Sequence, residues 1–159
     1  MIIESLEPNQ VFVFGSNKNG FHGAGSAGMA MRGCSTNNWR NDPEFLKAVN
    51  SPIGSQDRIG KWAVLGCPTG FQSGHNGCSY AVCTIKRAGQ KRSITRREIY
   101  YQLIELWRFA EAHPELEFLM TPVGQGYSGY SPDEMHEVWT FLLSKHGNPP
   151  NIKFTFDIG

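Results

Sequence analysis

Asn17 and His22 stand five positions apart in a stretch, VFVFGSNKNGFHGAGSAGMAMRG (residues 11–33), that reads as strand, glycine-rich loop and small-residue helix. An Asn where a strand ends can orient a sugar or a water, or cap the turn behind it. A His, with an ordinary pKa near ~6.5, can carry a proton at a glycosidic bond. Around them glycine recurs at Gly15, Gly20, Gly23, Gly25 and Gly28. Glycine permits positive φ and lets a ligand approach the backbone without a Cβ in the way. The first turn of the next helix would offer free N–H groups and the positive end of its dipole, which together attract phosphate. Tight turns with close helix–sheet packing would use the same glycines.

A second loop repeats the design. GQGYSGY (residues 124–130) follows an apolar run and precedes a helix start at Ser131. Ligands of open α/β sheets settle beyond the carboxyl ends of the strands, so the two loops are expected to flank one crevice and clamp an anion with backbone donors. The glycine spacing is neither the G-x-G-x-x-G dinucleotide fingerprint nor the GxxxxGK[ST] phosphate loop. No nucleophile stands beside a base: Ser128 has no His at short range, and Asp133 and Glu134 suit a helix start. Cys67, His75, Cys78 and Cys83 match no standard zinc spacing, so neither metal nor cofactor is expected. In a reducing compartment the cysteines, Cys34 included, would stay thiols.

The positioning elements are read from periodicity and punctuation. Residues 1–3 suit a short edge strand and 11–14 a buried one. KWAVLG (61–66) and SYAVCTI (79–85) read as further apolar strands. Between these last two, CPTGFQSGHNGC reads as loop, as does CSTNNWRN (34–41). Asp42-Pro43 opens a short helix to about Asn50. Thr95-Arg96-Arg97-Glu98 has capping-box form before Ile99, Leu103, Leu106 and Ala110, which make one buried face. Residues 117–123 read as a strand. Ser131-Pro132 starts a helix lined by Met135, Val138 and Leu142 and closed by Gly147, and 151–157 alternate as a last strand. Trp107 and Trp139 lie beside the apolar faces and are expected to pack. The order predicts one α/β domain spanning 1–159, a three-layer α/β/α sandwich with a mixed central sheet.

The 159 residues carry a formal net charge of +1, so polyanion binding would need a local patch. Such a patch exists in sequence: Lys86, Arg87, Lys91, Arg92, Arg96 and Arg97 fall within twelve positions. This supports a rival reading, a nucleic-acid-binding module using 86–97. No signal peptide and no run long enough to span a membrane is apparent, which points to the cytoplasm.

The chain resembles the macrodomains. Residues 11–32 look like that family's strand, Asn-containing loop and helix. GKWAVLGCPTGF and SYAVCTI are similar to its central segment. TPVGQGYSGYSPDEMHEVWTFLL is similar to its Pro-x-x-(Ser/Gly)-x-Gly-x-x-Gly-aromatic-Pro loop and the helix behind it. The resemblance implies binding of ADP-ribose or a related NAD-derived nucleotide, and in some members removal of ADP-ribose from a modified macromolecule. It places Asn17 at the distal ribose; His22, by its own chemistry, would be the proton carrier. Gly23, Ala24 and Gly25 would line the first phosphate loop, entered through Gly15 and Ser16, and Thr69 would contribute from the central segment. Gly124, Gln125, Gly126, Tyr127, Ser128 and Gly129 would wrap the diphosphate, and Tyr130 would stack near the distal ribose. The N-terminal MIIESLEPNQ lacks the family's Gly-Asp-Ile/Leu segment for adenine, and His22 stands where many members have glycine. The same loops would equally serve a non-catalytic reader or sponge for a nucleotide signal.

Overall fold

The computed structural model describes residues 3–33 and 38–158. A five-stranded mixed sheet has the order β2-β3-β1-β4-β5. Its strands are β1 (Gln10–Asn17), β2 (Gly70–Ser73), β3 (Cys78–Ile85), β4 (Glu117–Met120) and β5 (Ile152–Phe154). Strand β1 runs parallel to both β3 and β4, β4 runs parallel to β5, and only β2 is antiparallel to its neighbour.

Alternation along β1 divides the core. Val11 and Val13 join the cluster built by α3 (Arg96–Ala112) and α4 (Pro132–His146). Phe12 and Phe14 point the other way, against Ala27 and Ala30 of α1 (Gly25–Arg32) and the fully buried Trp62. Side chains at successive strand positions face opposite sides, so these two clusters place helices on both faces of the sheet. Helix α2 (Pro43–Val49) adds a smaller cluster in which Phe45 packs with Met31 and Leu65. Trp107 and Trp139 are core residues, as their helical positions predict.

Three helices start as their sequences dictate. The Asp42 carboxylate accepts from the N–H groups of Glu44 and Phe45 with Pro43 in the first turn, and Thr95 Oγ1 accepts from Glu98 N–H. Ser131 and Glu134 form a reciprocal capping box. Each cap satisfies donors that a helix leaves orphaned, worth about 1 kcal/mol apiece.

The segment 61–66 is not a strand. Lys61 N–H donates to Met31 O and Trp62 N–H to Ala30 O, both at 2.7 Å, so its backbone ties to the end of α1 rather than to a ladder. Its apolar side chains are buried by packing, Trp62 lying 4.9 Å from the ring of Phe12. The sheet's antiparallel edge is instead β2, inside the stretch read as loop. Strand β4 stops at Met120, three residues before the expected end. Of the proposed N-terminal strand, Met1 and Ile2 lie outside the described residues and Ile3 is not in a strand. In the expected loop 34–41, residues 34–37 lie outside the described residues and Trp39–Asn41 makes a 3-10 turn.

Candidate functional site

Beyond the carboxyl ends of β1, β3 and β4 opens a cleft of about 500 Å³. Its size falls in the range of small-molecule sites. The first loop contributes Gly15, Ser16, Asn17, Gly23, Ala24 and Gly25, and the second contributes Gly124, Gln125, Gly126, Tyr127 and Ser128. The loops also meet: a Cβ on Gly25 would sit 3.5 Å from the ring of Tyr127.

The helix starts at this cleft differ from the others. Helix α1 begins after Ala24 with no side-chain cap and no acid in its first turn. Gly28 N–H donates to Ala24 O at 3.0 Å, which leaves the N–H groups of Gly25, Ser26 and Ala27 without an intrahelical acceptor. The 3-10 turn Gly126–Ser128 also starts without a side-chain cap, after Gln125. Two sets of unclaimed backbone donors therefore line one cavity. Positive φ at Gly25 (62°) and Gly126 (65°) makes these turns possible.

Among the described residues, no Asp, Glu, His, Lys, Arg or Cys lines the cleft. Its side-chain hydroxyls are in part committed to the frame. Ser16 Oγ donates to Pro68 O, Thr121 Oγ1 to Val13 O at 2.6 Å, and Ser128 Oγ to Thr84 O at 2.5 Å. Among the described residues, the hydroxyls of Ser26, Tyr127 and Thr84 make no such bond, and of these Thr84 is the most buried. Its residue is 4% exposed, it lines the cleft floor, and Oγ1 stands 3.1 Å from where a Cβ on Gly15 would lie.

Four residues expected at the site do not line the cleft: His22, Thr69, Gly129 and Tyr130. His22 is fully buried, edge-on to Phe14 with ring centroids 5.3 Å apart. Nε2 lies 3.1 Å from Val64 O, while Nδ1 is buried without a partner among the described residues. Burial, only partly offset by that carbonyl, lowers its pKa to about 4, so the ring is neutral at physiological pH. Tyr130 does not stack in the cleft. Its hydroxyl donates to Ile94 O at 2.7 Å and the Arg92 guanidinium covers its ring. Gly129 holds a positive φ of 91° beside the Lys91 stem.

Asn17 lines the cleft, but its amide is engaged locally. Nδ2 donates to Phe21 O at 2.7 Å and Oδ1 accepts from Phe21 N–H at 2.8 Å. The role expected from turn chemistry, capping the turn beyond the strand, is present in full. Arg32 braces the same loop from outside, donating to Gly23 O and to Asp42 Oδ2.

Sequence reasoning missed Phe21 and Trp39, an edge-to-face pair at 4.7 Å that walls the first loop, and Thr84 with Ile85 and Ala88 from the end of β3. Ser26 and Ala27 of α1 and Thr121, Pro122 and Val123 complete the lining. The carboxyl-end rule for parallel strands could have found Thr84, since β3 pairs directly with β1. Among the described residues, no cluster of three or more His, Cys, Asp or Glu is placed to hold a metal, and Cys67, Cys78 and Cys83 are free thiols. Among the same residues, no helix is long and apolar enough to cross a membrane.

No protein-family profile matches the chain, and no characterised protein matches it either.

Proposed function

We propose that the chain is a macrodomain-like module that binds ADP-ribose, or a closely related NAD-derived nucleotide, in this cleft. The observation that carries the reading is the pair of uncapped turns lining one uncharged cavity. A diphosphate held there accepts from neutral N–H donors and from the positive end of α1, with no lysine required. The three helix starts away from the cleft carry side-chain caps, whereas the two turns at the cleft carry none.

Binding is favoured over hydrolysis. A general acid or base must reach the reacting atoms, and among the described residues the cavity is lined by no Asp, Glu, His, Lys or Cys, Tyr127 at its mouth being the one ionisable side chain. Removal of ADP-ribose from a modified macromolecule would then rest on a positioned water and on strain imposed by the loops. Calorimetric titration with ADP-ribose, NAD, AMP and pyrophosphate tests the reading. Saturable one-to-one binding of ADP-ribose, tighter than that of AMP, is expected; no heat at millimolar ligand overturns it. Release of free ADP-ribose from ADP-ribosylated protein, ADP-ribosylated nucleic acid or O-acetyl-ADP-ribose, followed in the same preparation, separates an enzyme from a reader.

A further inference from the structure

The six cations of residues 86–97 are not equivalent once folded. Arg92 is held bidentate by Glu134 at 2.6 and 2.7 Å, Arg96 meets Glu137 at 3.1 Å, and Arg97 lies over the ring of Tyr101. These three serve the α3–α4 side. The other three, Lys86, Arg87 and Lys91, are exposed and have no carboxylate partner among the described residues.

The fold brings a fourth cation to them. Lys18 follows Asn17 at the end of β1, is exposed, and donates its backbone N–H to Ile85 O at 3.1 Å, directly before Lys86. Three of them are chain neighbours of cleft-lining residues, and the fourth packs on the second loop. Asn17, Ile85 and Ala88 line the cleft, and the Lys91 stem packs where a Cβ on Gly129 would lie, against the second loop. The cavity is therefore uncharged inside and cationic along one rim, in a chain whose formal net charge is only +1. A free nucleotide held inside the cavity would feel that rim only as a field, whereas a longer polyanion can lay further phosphates on it.

We infer that the partner presenting the nucleotide to this cleft is a nucleic-acid strand, whose phosphates lie along Lys18, Lys86, Arg87 and Lys91 while the nucleotide group enters between the loops. This rests on the nucleotide reading of the cleft. Phosphates repeat along a strand at a spacing that a row of unpaired cations can follow, and each neutralised phosphate releases counterions. Tyr127, 68% exposed at the mouth, offers a flat face on which an unpaired base stacks, which an acidic peptide would not use.

Fluorescence anisotropy with four probes tests this: free ADP-ribose in competition, an ADP-ribosylated single-stranded oligonucleotide, the same oligonucleotide unmodified, and an ADP-ribosylated acidic peptide. The modified oligonucleotide should bind at least about tenfold tighter than ADP-ribose at low salt, with a steep fall as salt rises. The variant K18Q/K86Q/R87Q/K91Q should keep its affinity for ADP-ribose, lose the advantage for the oligonucleotide, and flatten the log–log salt slope by up to about 3, at roughly 0.7 per single-strand phosphate contact. The double variant K18Q/R87Q, which leaves Lys91 on Gly129, should show about half of that change. If ADP-ribose binds but the modified oligonucleotide and the peptide bind alike and the variants change neither, the inference is overturned and the reading of the cleft stands. If ADP-ribose does not bind while the unmodified strand binds through the rim, the reading of the cleft falls, and the joint site with it.

Discussion

Asn17 and Phe21 hold each other through two hydrogen bonds, the Asn17 amide donating to the Phe21 carbonyl at 2.7 Å and accepting from its N–H at 2.8 Å. The pair closes the turn that carries the chain from β1 toward the first glycine loop, and it sets Phe21 against Trp39. An amide at this position shapes the loop that lines the cleft. Asn17→Ala should lower stability by about 1–3 kcal/mol, the worth of two part-buried hydrogen bonds, and weaken ADP-ribose binding in the same variant. Denaturant titration and calorimetry check both. A variant of unchanged affinity that had lost only turnover would assign Asn17 to the reacting atoms instead.

The neutral, buried His22 predicts an acid-sensitive fold. Its pKa in the folded state is lowered to about 4, so the unfolded chain takes up the proton first as pH falls below ~6.5. The stabilising contribution of the uncharged ring is complete above that pH and is lost progressively toward pH 4, amounting to about 3 kcal/mol there. His22→Phe removes the titration. Urea unfolding at pH 7 and pH 4.5 should show a smaller acid loss in the variant than in the parent, and equal losses would mean that the ring is solvated.

Much of this architecture is legible in the sequence, because it is written in local chemistry. The caps at Asp42, Thr95 and Ser131 and the strands at 11–14 and 79–85 follow from side-chain types that have few alternatives. The failures share a cause: burial of an apolar run does not say what buries it. Trp62 and Ala63 sit under the sheet as packed loop, with their backbone bonded to α1. Strand β2 (GFQS) buries only Gln72, whose side chain accepts from Val64 N–H and donates to Cys67 O, so it shows no apolar alternation. At the site, the glycine loops announce themselves through backbone requirements, whereas His22 and Tyr130 look functional because polar-tipped rings between glycines resemble exposed ones. Each turns inward, where its polar tip meets a backbone carbonyl, of Val64 or Ile94.

Two glycines of the second loop should separate binding from folding. Gly124 is buried at φ 87°, and a Cβ there would meet Met135 Sδ at 2.5 Å. Gly126 is exposed at φ 65°, and a Cβ there meets nothing within 4 Å. Gly124→Val should therefore damage the core and drop the melting temperature sharply. Gly126→Val should cost only about 1–2 kcal/mol of backbone strain while filling the space of the ligand, so that ADP-ribose binding is lost in a protein that still unfolds cooperatively. Thermal melts and calorimetry on both variants read this directly, and retained affinity in Gly126→Val would move the ligand away from this loop.

Thr84 supplies the last prediction. Its carbonyl is taken by Ser128 Oγ, which ties β3 to the second loop, whereas its hydroxyl faces the floor of the cleft beside Gly15. Ser16, Thr121 and Ser128 all give their hydroxyls to backbone carbonyls, so Thr84 is the buried hydroxyl residue of the lining with a hydrogen bond left to offer a ligand, beside the more open Ser26 and Tyr127. Thr84→Val keeps the shape and β-branching that suit a buried strand and removes only that bond. Stability should change by less than about 1 kcal/mol, while affinity for ADP-ribose should fall about 5–10-fold, the worth of one hydrogen bond to a neutral donor. Thr84→Ser should recover most of the affinity despite its lost methyl group, because the hydroxyl remains. If Val and Ser variants bind alike, the hydroxyl does not touch the ligand, and the floor of the cleft is shaped by packing alone.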